Sequence, residues 1–450
     1  MKTPSILLAS ILTLSVPSFG GVFSLTPFTG DGDSGIVADG AYTHAINVAG
    51  NGNLTINGAV FTGSGGGGNP ATNDYSVGGM PFVFGGFGSG IGGNIGTALS
   101  DFVYGGNPGT VTLNNLRVGQ QYETTFYNAA FGGPGGRLTT VTANGLDSFG
   151  FDENATPGNL LTYGFTATSS TMTFALTPTS PGDTFHNYAF TNRMVGYKAL
   201  LTDNFYASGT PDTNDLNFNL AGRQGGSLIG GGNITYSRNP GGNQQVGNPT
   251  GGIDNGNYLL SAFGGRTALD HNFDGAESAG GLSISFDLSP NSTANGDTSV
   301  WECISLGLSA ADKTIFINEA PAHFGILFRG NGEIQAFDGS SVVSTTERWT
   351  AETNVTNGLH RIELLLTDPT DQNPFDGTGQ TDIAVYADGA LVYNYSKGGG
   401  GYADNFVNLG NAHIGGADNL TIAQAVPEPG AALSMIGGLG LLLGLRRRRA

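Results

Sequence analysis

Cysteine is nearly missing from this chain of 450 residues: Cys303 stands alone. No disulfide can form within the molecule, so stability has to come from core size and from any bound metal. Positive charge is scarce as well, with 17 Lys and Arg against 35 Asp and Glu. That balance argues against a nucleic-acid partner, because holding a phosphate backbone calls for clustered basic side chains. Charged residues of either sign make up only 12%, too few for surface helices laced with ion pairs. His44, His186, His271, His323, His360 and His413 are the only histidines, and they lack the paired spacing of a zinc site. No collagen-like period of three appears, and a patterned hydrophobic content of 38% excludes a disordered chain.

What the chain has in excess is glycine, 77 residues. With so few charges, this composition fits β-sheets joined by many Gly-rich turns. Both ends depart from it. Lys2 precedes the apolar stretch Ile6–Val16, and small residues follow at Ser18, Gly20 and Gly21, which are the three parts of a secretory signal. Residues 1–20 are therefore expected to be a cleavable signal helix, cut near Gly20. A buried N-terminal helix fits less well, since the run stops at Pro17 and nothing amphipathic continues it.

At the other end, Pro427-Glu428-Pro429 precedes Gly430–Leu445, sixteen residues without a charge, and then Arg446, Arg447, Arg448, Arg449 and Ala450. The apolar run is at the short end of what spans a bilayer, and the arginines would stay on the cytoplasmic side, leaving the preceding chain outside. Tripeptide, apolar helix and basic tail together resemble the PEP-CTERM sorting signal of Gram-negative bacteria, a resemblance confined to residues 426–450. It implies recognition of the tripeptide by an exosortase, a membrane protease that removes the helix. The localisation that follows is an inner-membrane precursor, then the cell surface, outer membrane or extracellular matrix. The alternative is a permanent single-pass anchor, which has no use for the tripeptide. Subtracting residues 1–20 and 426–450 removes five positive charges and one negative charge, which takes the net charge from −18 to −22. Such a surface is compatible with divalent cations, with neutral glycans or with solubility outside the cell.

The interior reads as all-β, with two β-sandwich, jelly-roll-like domains. In the first, residues 21–200, strand patterns fall at Ala41–Val48, Leu54–Phe61, Thr110–Leu116, Gln121–Tyr127, Leu138–Ala143 and Thr171–Leu176, with Phe185–Thr191 as the closing strand. Gly63–Asn69 and Gly78–Gly96 read as long connections. Leu116–Tyr122 has the form of a tyrosine corner, in which a buried hydroxyl finds a backbone partner. This half is similar in architecture to galactose-binding-like or fibronectin-like sandwiches. In the second, residues 203–424, apolar residues alternate at Leu282–Leu288, Phe324–Phe328 and Ile362–Leu366. Ile383–Tyr393 reads as a hairpin closed at Asp388-Gly389. With Phe406–Leu409 and Asp418–Ile422, it resembles the laminin-G-like or concanavalin A-like jelly roll.

That family contains both glycan-binding modules and glycanases, and its bacterial glucanases carry closely spaced acids on one strand, Glu-x-Asp-x-x-Glu, to attack and protonate across a sugar. The pattern is missing here. The nearest groupings, Asp270 with Asp274 and Glu277, and Glu363 with Asp368, read as solvated loops. No catalytic residue is nominated. For metal, Asp31-Gly32-Asp33 and the loop containing Asp368, Asp371, Asn373, Asp376 and Asp382 offer the hard oxygens that calcium prefers, although neither has the EF-hand spacing and both fit ordinary turns. His44 and His360 read as packed, Cys303 as a buried inert thiol, and Trp301 as more buried than Trp349, either of which could stack on a sugar if exposed. The Gly-rich stretches lack the Lys-Ser/Thr ending of a phosphate loop. The expected function is that of an exported, non-catalytic surface or matrix protein that binds extracellular polysaccharide or adheres. The alternative is an extracellular glycoside hydrolase or polysaccharide lyase with a site assembled from loops.

Overall fold

The computed structural model describes residues 21–180, 182–203, 224–227, 233–238, 244–247, 258–261, 265–289, 301–314, 317, 323–329, 332–347, 360–412 and 415–426. The expected signal segment, the expected sorting tail, Trp349 and His413 lie outside these residues. The described chain is nearly all β, as its composition predicts, and its helices are limited to Gly93–Ala98, Gly275–Ser278 and a 3-10 turn at Asp31–Asp33. Among the described residues no helix is long and apolar enough to cross a membrane.

One 14-stranded sheet runs through both halves. Its spine passes from Val22–Pro27 through Gly158–Thr166, Gln121–Ala129, Ala189–Asp203, Gly415–Ala425, Leu282–Ser289, His360–Thr367 and Thr381–Ala387 to Ala390–Lys397. In the first half a five-stranded sheet covers one face, and Tyr122, Phe126, Leu161 and Phe190 pack there against Val111, Leu113, Phe174 and Leu176. On the opposite face Phe28, Phe61, Ile95 and Tyr188 form a second core with Tyr127. Because both faces are covered, the run from Phe126 to Ala129 is buried at every position, and period-2 alternation fades there. In the second half an eight-stranded sheet packs on the spine, with Ile284, Phe286, Ile362 and Leu364 meeting Ile304, Leu306, Phe324 and Ile326. Here one face is apolar, and the alternation in the sequence is clean.

Ala189–Asp203 ties the halves together. Its first part, Ala189–Met194, pairs with Gln121–Ala129, while Tyr197–Asp203 pairs with the last strand, Gly415–Ala425. The change of partner falls at Gly196, whose φ of +81° is open to glycine at little cost. The expected boundary between residues 200 and 203 therefore lies inside one strand, and Phe185–Thr191 is divided: Phe185–Asn187 belongs to a three-stranded sheet and Ala189 opens the bridging strand. Leu54–Phe61 is likewise two strands, Leu54–Ile56 and Ala59–Gly63, folded at Asn57-Gly58. The positive φ values of that pair, 49° and 88°, match a type I′ turn. The Asp388-Gly389 hairpin is present as expected, joining Thr381–Ala387 to Ala390–Lys397.

Candidate functional site

The tyrosine corner is the first step towards the junction. Tyr122 is buried, and its hydroxyl accepts a hydrogen bond from the Arg117 amide at 2.9 Å. That bond fixes the Leu116–Tyr122 turn so that the Arg117 side chain crosses to the second half. There it pairs with Glu363, whose carboxylate also accepts from Ser283 Oγ at 2.6 Å. Two residues before Glu363 on the same strand, Arg361 makes a two-point pair with Asp287 and reaches back to Asp74 at 3.2 Å. Asn419 donates to Asp287 at 2.7 Å, and Asn115 donates to Asp74 at 3.0 Å. Burial pushes the Asp74 carboxyl up, but Arg361, His44 and Asn115 outweigh it and hold it below its usual range. His44 is buried, with Nε2 donating to the Asp74 carbonyl at 2.8 Å, and desolvation keeps the ring below its ordinary pKa. Gly389 completes the contact, since any Cβ there would run into the Leu116 carbonyl.

Above this network, at the seam, lies a pocket of about 150 Å³. Tyr42, His44 and Asp74 line it from the first half, Thr202 from the bridging strand, and Arg361 and Asn419 from the second. His44 and His360 are packed, as expected, and His360 Nδ1 pairs with Asp388 at 2.8 Å. Glu363, which reads as part of a solvated loop in the sequence, is instead buried at the junction. It locks the halves together, whereas Asp368 organises a loop.

A second feature lies on the first half. In the three-stranded sheet Phe82 faces Tyr104 and Phe84 faces Phe102 across the ladder, with ring centroids 5.5 and 5.2 Å apart. Phe131 stands edge-on to Phe84 at 5.3 Å, and its amide is held by Asn154 Oδ1 at 2.9 Å. Beneath them His186 stacks on Phe102 at 4.1 Å. The upper rings stay open: Phe82 is 57% exposed, Phe84 40% and Phe131 37%. Sequence reasoning misses this face because it lies in a stretch that reads as a Gly-rich connection. The signal that could find it is Phe82, Phe84 and Phe87 at near-alternate spacing within that connection.

The nominated metal ligands are tied up in hydrogen bonds, some within their own loops and some to other elements. Asp368 accepts from the amides of Thr370 at 2.6 Å and Gln380 at 2.8 Å and from the Thr370 hydroxyl; against the upward push of burial, these bonds hold its carboxyl below its usual value. Asp371 and Asp376 both accept from Thr378 Oγ1, at 2.9 and 2.8 Å. Asp31 caps the helix Gly93–Ala98 through the Asn94 and Ile95 amides, and Asp33 accepts from Thr29 and Gly30. Among the described residues no three His, Cys, Asp or Glu side chains are grouped to hold a metal ion. Of the other acids, Asp270 pairs with Lys313 and Glu277 with His271. Cys303 is buried, and burial pushes its thiol up. Trp301 is half-buried beside Cys303, Leu327 and Phe337. Pro427, Glu428, Pro429 and Arg446–Arg449, expected from the sequence to form a sorting signal, lie outside the described residues.

No protein-family model matches the chain, and no curated protein matches it in sequence. Among solved structures it is similar to a carbohydrate binding module, CBM66, from Bacillus subtilis, with a TM-score of 0.27 and 9% identity over 42% of this chain and 94% of the other. A Bacillus subtilis protein of unknown function with a galectin-like fold gives a TM-score of 0.31 and 8% identity over 43% and 90%. A prokaryotic beta-1,3-1,4-glucanase (lichenase) derived from a mouse hindgut metagenome gives 0.24 and 10% over 36% and 72%. At these scores and identities the likeness says nothing of what the chain binds.

Proposed function

We propose that this is an exported, non-catalytic surface or matrix protein that binds extracellular polysaccharide through the aromatic face of its first half. In this reading residues 1–20 direct export from a Gram-negative cell, and an exosortase reads Pro427-Glu428-Pro429 and releases the C-terminal helix. The observation that carries the binding role is the open cluster of Phe82 and Phe84 on a short strand with Phe131 beside them from a loop. Exposed contiguous apolar patches on a soluble domain mark interaction sites. Rings fixed by neighbouring rings lose little conformational entropy on binding, so flat apolar area is available to the C–H faces of a sugar chain. A chain with a net charge of −18, or −22 without its ends, disfavours acidic polymers, which leaves neutral glycans as the matching class.

The test is retention of the full-length protein on insoluble neutral polysaccharides, together with a glycan array and an assay for released reducing ends. Phe82→Ala combined with Phe84→Ala should lower retention at least tenfold with only a small drop in melting temperature, because both rings keep a large part of their surface in solvent. Unchanged retention in the double variant removes the face from the mechanism. Steady release of reducing ends by the wild type would replace the binding role with the hydrolase.

A further inference from the structure

The junction pocket is a second site, separate from the aromatic face and built from both halves. Its volume of about 150 Å³ equals that of an engineered apolar cavity able to hold one benzene ring, so its capacity is one six-membered ring. Its lining differs from that cavity in being close to half polar. The Arg361–Asp74 pair presents an edge to it, with 11% and 19% of the two side chains exposed. Thr72, Thr202, Thr421 and Asn419 place hydroxyl and amide groups around it. One wall is the ring of Tyr42, which is fixed: its hydroxyl accepts from the Val37 amide at 3.0 Å, and Gly40 leaves room for the ring. An apolar flat wall opposite a few placed polar groups is the common design of a small-molecule pocket.

Charge narrows the ligand class. The guanidinium of Arg361 is already matched by Asp287 and Asp74. Among the described residues no surplus positive charge remains in the lining to hold an anion. Asp74 is engaged by Arg361 and Asn115, so its carboxylate offers acceptor lone pairs rather than an unmatched charge. We propose that the pocket binds a single neutral, hydroxyl-rich pyranose ring, seated on Tyr42 and bridging the two halves. This inference rests on the reading that the partner is a glycan, and adds a site that selects one sugar unit where the aromatic face grips a chain.

The experiment uses the full-length protein in a sugar-free detergent and titrates methyl glucoside, galactoside and mannoside by calorimetry and ligand-observed NMR. Glucuronate and glucosamine serve as charged controls. At least one neutral glycoside should bind saturably, in about the millimolar range expected of a single ring. Thr202→Phe, which fills the mouth from an exposed position outside the ion-pair network, should weaken binding at least tenfold. Tyr42→Leu, which removes the flat wall, should weaken it severalfold, and it decides the matter if the first variant does not fold. Phe82→Ala with Phe84→Ala should leave ring binding intact, which separates this site from the aromatic face whatever becomes of polymer retention. Absence of saturable binding, equal binding by the wild type and both pocket variants, or preference for either charged control overturns the proposal.

Discussion

Glu153 and His186 show how two buried side chains can oppose each other in their effect on stability. Glu153 is fully buried, accepting from Thr139 Oγ1 at 2.7 Å and from the His186 amide at 3.2 Å. Desolvation outweighs these bonds and raises its carboxyl to about 8. His186, enclosed by Phe102, Phe131 and Tyr104, is lowered to about 3, first by burial and then by Arg137. For Glu153 the folded state keeps a proton that the unfolded chain has lost above about pH 4.3, so stability falls as pH rises from there towards 8. For His186 the unfolded chain gains a proton below about pH 6.5 that the folded state refuses, so stability falls as pH drops from there towards 3. His44, also held below its usual value by burial, acts in the same direction as His186. The melting temperature should therefore peak between about pH 4.5 and 6.5 and decline on both sides, each group costing at most about 1.4 kcal/mol per pH unit travelled. Glu153→Gln should flatten the alkaline decline and leave the acid one. A melting profile that rises steadily from pH 5 to pH 8 in the wild type contradicts this assignment.

At the scale of elements, what can be read from the sequence follows how many faces of a strand are lined with apolar residues. Leu282–Leu288 and Ile362–Leu366 turn one apolar face to the eight-stranded sheet and carry Ser283, Ser285, Asp287 and Glu363 on the other, which is buried too but polar, so their alternation announces them. Phe82–Phe84 is three residues long and open on every side chain, and the helix Gly93–Ala98 is six residues set among glycines; neither has a period to read. The switch of partners at Gly196 is a tertiary event with no local signature, which is why the sequence suggests a domain boundary inside a strand. The site is hidden in the same way: Tyr42, His44 and Asp74 come together with Arg361 and Asn419 only through the bridging strand, and no spacing along the chain foretells that. The Asp-Gly turn is legible, yet its second role is not. Gly389 has a φ of +77° and also sits against the Leu116 carbonyl of the other half. Gly389→Ala should cost about 1–3 kcal/mol for the backbone conformation alone, and more through the seam. Urea unfolding should show the loss, whereas alanine at Gly398, where nothing crowds a Cβ, should be nearly neutral. Equal stability of the two variants would mean that the hairpin does not bear on the seam.

For the molecule as a whole, the way the chain ends is tied to the way the halves are joined. The last strand, Gly415–Ala425, lies between the bridging strand and Leu282–Ser289, and the Val426 amide still bonds to the Gly196 carbonyl at 2.8 Å. The tripeptide Pro427-Glu428-Pro429 therefore begins at the next residue, and the body is anchored at its seam up to the point where the tail departs. Between Asp418 and the arginine cluster Glu428 is the only charge, and a proline flanks it on either side. A cationic pocket in a membrane protease can grip that carboxylate through charge-assisted hydrogen bonds that alanine cannot offer. If residues 1–20 direct export and an exosortase reads the tripeptide, as proposed, Glu428→Ala should leave export intact and should block removal of the C-terminal apolar run. Since the substitution lies beyond the last strand, folding and glycan retention should not change. The variant should collect at the inner membrane as a species heavier than the processed wild type by about the mass of the apolar run and its arginines, resolved by intact mass spectrometry of the membrane fraction. If wild type and variant both retain Leu441–Leu445, the tail is a plain anchor, and the arginines serve only to set its orientation.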